Sequence, residues 1–253
     1  MENITSRSNE TYKMLSRLLT SKGIKKHSLA LCPGTKIVAE LLRDFPQQVE
    51  GIIATSAMDV PAAWQDRKVI WLSRELFQEL DLFGTNAPLA LVRTSAVSPL
   101  PVISGAWREC FAGDALALPF QDPENVGMAI RSAVAFGIRD IILLAEAANP
   151  WLQKSFRASS GMVMRVRFWQ GPTLQEFVAQ EPTMIVSLSA EGVALSQAQF
   201  PSPCIVLPGI EGEGLPEVAR AASVAIAMAP GVESLNGAVA TAIVLHELAR
   251  RRK

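Results

Sequence analysis

Pro208-Gly209-Ile210-Glu211-Gly212-Glu213-Gly214-Leu215-Pro216 follows directly on Cys204-Ile205-Val206-Leu207. The apolar run predicts a short buried strand. The three glycines behind it open backbone conformations closed to other residues, so the loop can wrap closely round a ligand. Pro216 and Glu217 suit a helix start, where proline's missing N–H costs nothing and a carboxylate meets the positive end of the dipole. Strand, glycine loop and helix make one step of an α/β sheet. The glycine order is G-x-x-G-x-G, not the G-x-G-x-x-G of a dinucleotide fingerprint, which disfavours a nicotinamide oxidoreductase. By itself the loop also reads as a tight turn, and its companions decide.

Working outward, Ala115 to Phe120 and Asp140 to Leu144 predict strands. Between them lie a polar loop, 121–127, and a helix from about Met128 to Phe136 ended by Gly137. Further strands are expected at Thr183 to Ser187 and Val224 to Met228. A last helix begins near Ser234, a good N-cap type, and runs through Val239, Ile243, Leu245 and Leu248. The alternation spells an open, largely parallel sheet, in which ligands gather at the carboxyl ends of strands. The loops at Asn125, Gly209 and Ser234 all follow such ends.

Toward the N-terminus, helical spacing of Tyr12, Leu15, Leu18 and Leu19 predicts a helix over about 10–20, stopped by Gly23. Strands are expected at 28–32, 51–54, 69–72 and 89–92, with a helix from Ile37 to Leu42 ended before Pro46. This is a smaller α/β domain. The proline- and small-residue-rich run from Thr94 to Pro101 has linker composition. The expected organisation is residues 1–95 as one domain, 96–113 as linker and 114–253 as the second.

The chain has 253 residues, enough for two cores, and 24 basic against 24 acidic side chains. Zero formal charge argues against indiscriminate nucleic-acid binding, yet cations cluster locally. Arg7, Lys13, Arg17, Lys22, Lys25 and Lys26 crowd the first segment, and Arg250-Arg251-Arg252-Lys253 close the chain. Each cluster reads as an RNA footprint or as a solvated face. No apolar run is long enough to span a bilayer, and residues 1–7 lack a signal-peptide core. Cys32, Cys110 and Cys204 stand far apart, which fits a reducing cytoplasm. With only His27 and His246, a zinc site or a serine–histidine triad is disfavoured, and no metal is expected.

Three stretches together carry a resemblance. Residues 122–137, DPENVGMAIRSAVAFG, are similar to an N-x-G-x-x-x-R-x-A-x-x-F-G motif. Gly209, Glu211 and Gly214 match G-x-E-x-x-G-L, and residues 226–236, IAMAPGVESLN, resemble I-P-M…S-L-N. In this order the motifs resemble those of the SpoU (TrmH-type) RNA ribose 2′-O-methyltransferases of the SPOUT superfamily. More loosely, Gly34, residues 40–42 and residues 72–76 resemble the small RNA-binding domain that many members carry. Departures are Pro208, Ala227, the Gly237-Ala238 pair, and Pro119-Phe120 where an acidic strand end is common.

The resemblance implies a trefoil-knotted C-terminal domain, S-adenosylmethionine as cofactor, ribosomal or transfer RNA as substrate, and a homodimer. Cofactor contacts would fall on Gly209, Ile226 and Leu235. Catalytic and substrate-facing roles would fall on Asn125, Arg131, Glu211, Ser234 and Asn236. A catalytically silent RNA-binding homologue is the alternative. It has no need of all five residues.

Overall fold

The computed structural model describes residues 3–64, 66–101, 107–111, 113–180, 183–210, 215–220 and 223–252, without the side chains of 108, 109, 218 and 220. Two compact units emerge. The first comprises residues 1–95 with 149–164, the second residues 96–148 with 165–253.

The first unit contains β1 (Asn3–Ile4), α1 (Glu10–Arg17), α2 (Ser21–His27), β2 (Leu29–Cys32), α3 (Thr35–Asp44), β3 (Val49–Ala54), β4 (Val69–Leu72), α4 (Arg74–Leu80) and β5 (Leu89–Arg93). Its sheet runs β1-β4-β3-β5-β2, with β5 antiparallel to both neighbours. Tyr12, Leu15, Leu18, Leu31, Ile53, Leu72 and Phe77 form the core on one face. The N-terminal helix expected over 10–20 is α1, ending at Arg17, and a second helix, α2, follows it where Gly23 is expected to end the first. Thr20 caps α2 by accepting from the Gly23 amide, and Gly23 lies inside that helix. A Cβ there would fall 1.9 Å from the Arg17 carbonyl oxygen, so the glycine serves close approach and not termination.

The second unit contains β6 (Val97–Pro99), α5 (Trp107–Cys110), β7 (Ala115–Leu118), α6 (Pro123–Ala135) and β8 (Asp140–Leu143). After α7 (Gln153–Ala158), which belongs to the first unit, it resumes with β9 (Arg167–Gln170), α8 (Leu174–Gln180), β10 (Ile185–Ala194), β11 (Ile205–Leu207), α9 (Glu217–Arg220), β12 (Ser223–Ala225) and α10 (Gly237–Arg251). The seven strands lie in the order β12-β10-β11-β7-β8-β9-β6, and all pair in parallel. Every residue of β7, β8 and β11 is buried, as expected of strands covered on both faces. The stretch read as linker carries β6, which closes one edge of this sheet against β9.

Three boundaries differ from the sequence reading. α6 begins at Pro123, because Asp122 accepts from the Glu124 amide as N-cap and proline fits the first helical turn. Asn125 therefore sits on a helix, not in a loop. Strand β12 stops at Ala225, leaving Ile226 in irregular backbone. The N-cap of α10 is Asn236, not Ser234: its Oδ1 accepts from Ala238 N at 2.9 Å and Val239 N at 3.3 Å. Gly137 does end α6, at φ +92°.

The strand order reverses direction between β7 and β11, so their carboxyl ends flank a topological switch point, the place where an open α/β sheet leaves a crevice.

Candidate functional site

At that switch point β7 runs into Pro119-Phe120, and β11 into Pro208-Gly209-Ile210. Gly209 has to be glycine for lack of space, since a Cβ there would fall 2.9 Å from the Leu188 carbonyl oxygen on β10. Gly237, the first residue of α10, is equally confined. A Cβ on it would lie 2.7 and 3.1 Å from two atoms of the Phe120 ring and 3.5 Å from the Gly209 carbonyl oxygen. The glycine loop and the start of the last helix thus approach each other closely, and the Phe120 ring borders the first residue of α10.

One hydrogen bond joins the first motif to the third. Asn236 Nδ2 donates to Asn125 Oδ1 at 2.9 Å. Its direction follows from the helix cap. Asn236 must present Oδ1 to the amides of α10, so its NH2 faces Asn125, and Asn125 must answer with oxygen. That leaves the Asn125 NH2 as a donor with a fixed orientation. Asn125 is buried and Asn236 exposed, so the pair runs from the core to the rim. Helices α6 and α10 pack along their length, which supports the bond from both sides.

The other predicted residues take different places. Ile226 is half-buried one residue past β12, and Leu235 is 37% exposed just before the Asn236 cap. Ser234 is exposed. Arg131 is exposed on α6, six residues beyond Asn125, and makes no hydrogen bond or ion pair among the described residues. Six helical positions separate the two by about 9 Å of rise and about 120° of rotation, so Arg131 stands apart from the Asn pair. Glu211 lies outside the described residues.

A cavity of about 590 Å³ opens at the opposite ends of β7, β8 and β9, lined by Asp114, Asp140, Arg139, Arg167, Leu248 and Arg252, among others. Both of its aspartates are paired, and Arg139 donates to the Val134 and Ile138 carbonyls. Asp140, buried, accepts from Arg167 Nε at 2.9 Å and Nη2 at 2.6 Å, and from Trp169 Nε1. Asp114 accepts from Arg252 Nε and Nη2, both at 2.9 Å, and from the Cys204 amide. Both pairs fasten secondary structure, so the chemistry is sought at the other end of the sheet. Among the described residues no cluster of three or more His, Cys, Asp or Glu could hold a metal ion, and no helix is long and apolar enough to cross a membrane.

Sequence reasoning did not foresee the Phe120–Gly237 contact or the Asp114–Arg252 pair. Phe120 and Gly237 stood out as departures from the resembled motifs, but no spacing rule brings residues 120 and 237 together.

Residues 116–246 match the SpoU rRNA Methylase family. The chain belongs to that family. The match spans β7 to α10, so the SpoU region holds the strand ends, the Asn pair and both confined glycines described above. The chain is 41% identical over 98% of its length to ribosomal RNA small subunit methyltransferase G 2 of Syntrophobacter fumaroxidans, and spans 49% of that relative's length. The fold is that of an AdoMet-bound rRNA methyltransferase from Sinorhizobium meliloti, with a TM-score of 0.77 at 24% identity over 99% of this chain and 98% of that one. A TrmH-family structure from Porphyromonas gingivalis gives a TM-score of 0.71 at 29% identity, covering 96% of this chain and 98% of the other.

Proposed function

We propose that the chain is an S-adenosylmethionine-dependent methyltransferase acting on a ribose 2′-hydroxyl of ribosomal or transfer RNA. The observation that carries this reading is the Asn236–Asn125 hydrogen bond, with Gly209 and Gly237 in close approach beside it at the switch point. Membership of the SpoU family and the likeness to the TrmH-family structure support it.

The residues present fit the cofactor. A sulfonium donor loses its positive charge on reaction, so it asks for a backbone-lined, mainly apolar seat. Gly209, confined too tightly to carry a side chain, half-buried Ile226 and part-exposed Leu235 offer one. When bound, the cofactor supplies the methyl group. The chain's own residues do the rest. Asn236, locked by its helix cap, holds Asn125 so that its NH2 is a preoriented donor to an oxygen of the bound ribose. Ser234 lies two residues before that cap, exposed and free to meet RNA.

Arg131 presents a planar guanidinium, and its role is a two-point grip on a neighbouring phosphate and stabilisation of the developing alkoxide. Its distance from the Asn pair suits a residue that reaches the substrate and not its neighbours. Glu211 completes the substrate-facing set in this reading.

The same reading includes a knot, with the C-terminal segment threaded to complete the cofactor seat, and a homodimer. Met128, Val232, Leu235, Val239 and Ile243, between 37% and 49% exposed, bring large apolar side chains to the surface on α6, on α10 and just before α10. A second copy covering them is the usual symmetric solution. Light scattering should give twice the 27.3 kDa chain mass. A concentration-independent monomer would remove the dimer. The first unit would contact RNA through Lys22, Lys25 and Lys26.

The function is tested by calorimetric titration of S-adenosylmethionine and NADH, followed by radiolabelled methyl transfer to ribosomal and transfer RNA with mapping of the product. Binding of the sulfonium alone and label on ribose are expected. A chain that binds RNA but no S-adenosylmethionine would be the silent homologue, and label on a base would overturn the 2′-O assignment.

A further inference from the structure

Gly237 opens a fifteen-residue helix, a position where alanine is ordinarily the better residue. Its backbone does not demand glycine either, because its φ lies outside the left-handed region that Gly34, Gly84, Gly137, Gly161 and Gly231 occupy. The demand comes from space. A Cβ at 237 would meet the Phe120 ring at 2.7 Å, closer than real Cβ contacts come, while its 3.5 Å distance to the Gly209 carbonyl oxygen is ordinary contact. The atoms it would meet are the far end of a buried ring. Phe120 is 7% exposed, and its carbonyl oxygen accepts from the Ala148 amide at 2.8 Å, which pins the chain just beyond β7.

We propose that Phe120 is a positioning residue of the site, matched in volume to Gly237. Its ring fills the space a side chain at 237 would otherwise take, and so sets how deeply the first turn of α10 sits against the sheet. Two groups depend on that depth. Asn236, one residue before Gly237, caps α10 and donates to Asn125 at 2.9 Å, a bond that tolerates little displacement. The Gly209 carbonyl oxygen, on the loop leaving β11, lies 3.5 Å from the point a Cβ at 237 would occupy. Phe120 thus acts through its neighbours on the orientation of the Asn pair and on the seat at Gly209. Its effect on cofactor affinity rests on the reading of the site as an S-adenosylmethionine site. Its effect on the geometry of Asn236 does not.

The decisive variants are Gly237→Ala, Phe120→Leu and the two together. Helix propensity alone predicts that Gly237→Ala is harmless or stabilising. The contact predicts the opposite sign. Overpacking against a confined ring should weaken S-adenosylmethionine binding on the order of tenfold and shift the Asn236 side-chain amide resonances of the ligand-free protein. Leucine ends short of the distal ring atoms that the new Cβ would strike. Phe120→Leu in the Gly237→Ala background should therefore return the affinity to within about threefold of the parent and bring the Asn236 resonances back. Thermal midpoints recorded on all four proteins separate global loss of stability from a change at the site.

An unchanged affinity and unchanged Asn236 resonances in Gly237→Ala would overturn the proposal. So would a double variant whose losses are the sum of the two single ones. If the parent binds no S-adenosylmethionine, the proposed function falls and the resonances alone decide. A shift in Gly237→Ala that reverses in the double variant supports the matched pair, and one that persists refutes it.

Discussion

Helix α2 and the end of α10 each carry three cations, and they use them in opposite ways. Lys22, Lys25 and Lys26 are exposed and make no hydrogen bond or ion pair among the described residues. Arg250 and Arg251 share Glu247, and Arg251 also donates to the carbonyls of Leu195, Ser196 and Ala198. Arg252 grips Asp114 with two bonds and donates to the Pro201 carbonyl. Lys25 and Lys26, like the arginines, sit favourably near the negative end of a helix, whereas Lys22 lies in the first turn of α2. Only the lysines keep their hydrogen-bonding capacity for something outside the chain. Arg251 and Arg252 have become fasteners that tie the far end of α10 to the loop before β11 and to the start of β7, while Arg250 stays within the helix on Glu247. A run of basic residues therefore marks a nucleic-acid surface only where carboxylates and carbonyls have not already claimed it.

Arg131 belongs with the open cations, and it gives the largest expected effect. Arg131→Ala should lower single-turnover methyl transfer about a hundred- to a thousandfold, the usual loss for one preorganised charge-stabilising donor. S-adenosylmethionine affinity and the thermal midpoint should hardly move, because an exposed side chain without partners contributes little to stability. Arg131→Lys should recover little, since an ammonium lacks the planar two-point grip. Near-normal turnover in Arg131→Ala would take the residue out of the mechanism.

The fastened side of the comparison is broken by Asp114→Ala. It leaves the buried Cys204 amide without its acceptor and takes two bonds from the exposed Arg252 guanidinium, a cost of about 2 kcal/mol carried mainly by the amide. A unit of this size should lose about 4–8 °C in its melting midpoint. If calorimetry shows the parent midpoint, α10 is held by packing alone and the clasp is incidental.

The open side is sharpened by replacing Lys22, Lys25 and Lys26 together with alanine. Stability should stay within about 0.5 kcal/mol of the parent. The slope of log affinity for RNA against log salt should flatten by about 2–3, one counterion term for each phosphate contact removed. An unchanged slope would mean that the first unit meets RNA elsewhere or not at all.

Acid gives the smallest effect. The Arg250 guanidinium, and then that of Arg251, hold the Glu247 carboxyl down to about 2 from an ordinary value of 4.5. A carboxyl depressed on folding contributes fully above its unfolded value and loses that contribution as pH falls through the folded one. Protection factors at residues 248–252, with the intrinsic pH dependence of exchange divided out, should accordingly be steady down to about pH 4.5 and fall between there and pH 2. Protection already lost above pH 5 would point to another group.

The parallel sheet was legible because its strands are continuous apolar runs separated by helix-length intervals, and residues 205–207 could hardly be read otherwise. Helix starts were less legible. Asp122 starts α6 before the expected Met128, and Asn236 caps α10 after the expected Ser234, because a side-chain acceptor must reach amides two or three residues on and Ser234 stands two residues too early to meet those of α10. Gly23 misled the reading because glycine serves both termination and close approach, and only the Arg17 carbonyl at 1.9 Å distinguishes them.

By itself the sequence determined the α/β class, the order of the elements that make the site, and the residue types gathered there, since these follow from local periodicity and from short motifs. Tertiary structure alone decided that Asn125 meets Asn236 across 111 residues, that Phe120 dictates a glycine at 237, and that Asp114 claims Arg252. The physical reason is that contacts between distant residues depend on how strands are ordered in the sheet, and a one-dimensional pattern carries no record of that order.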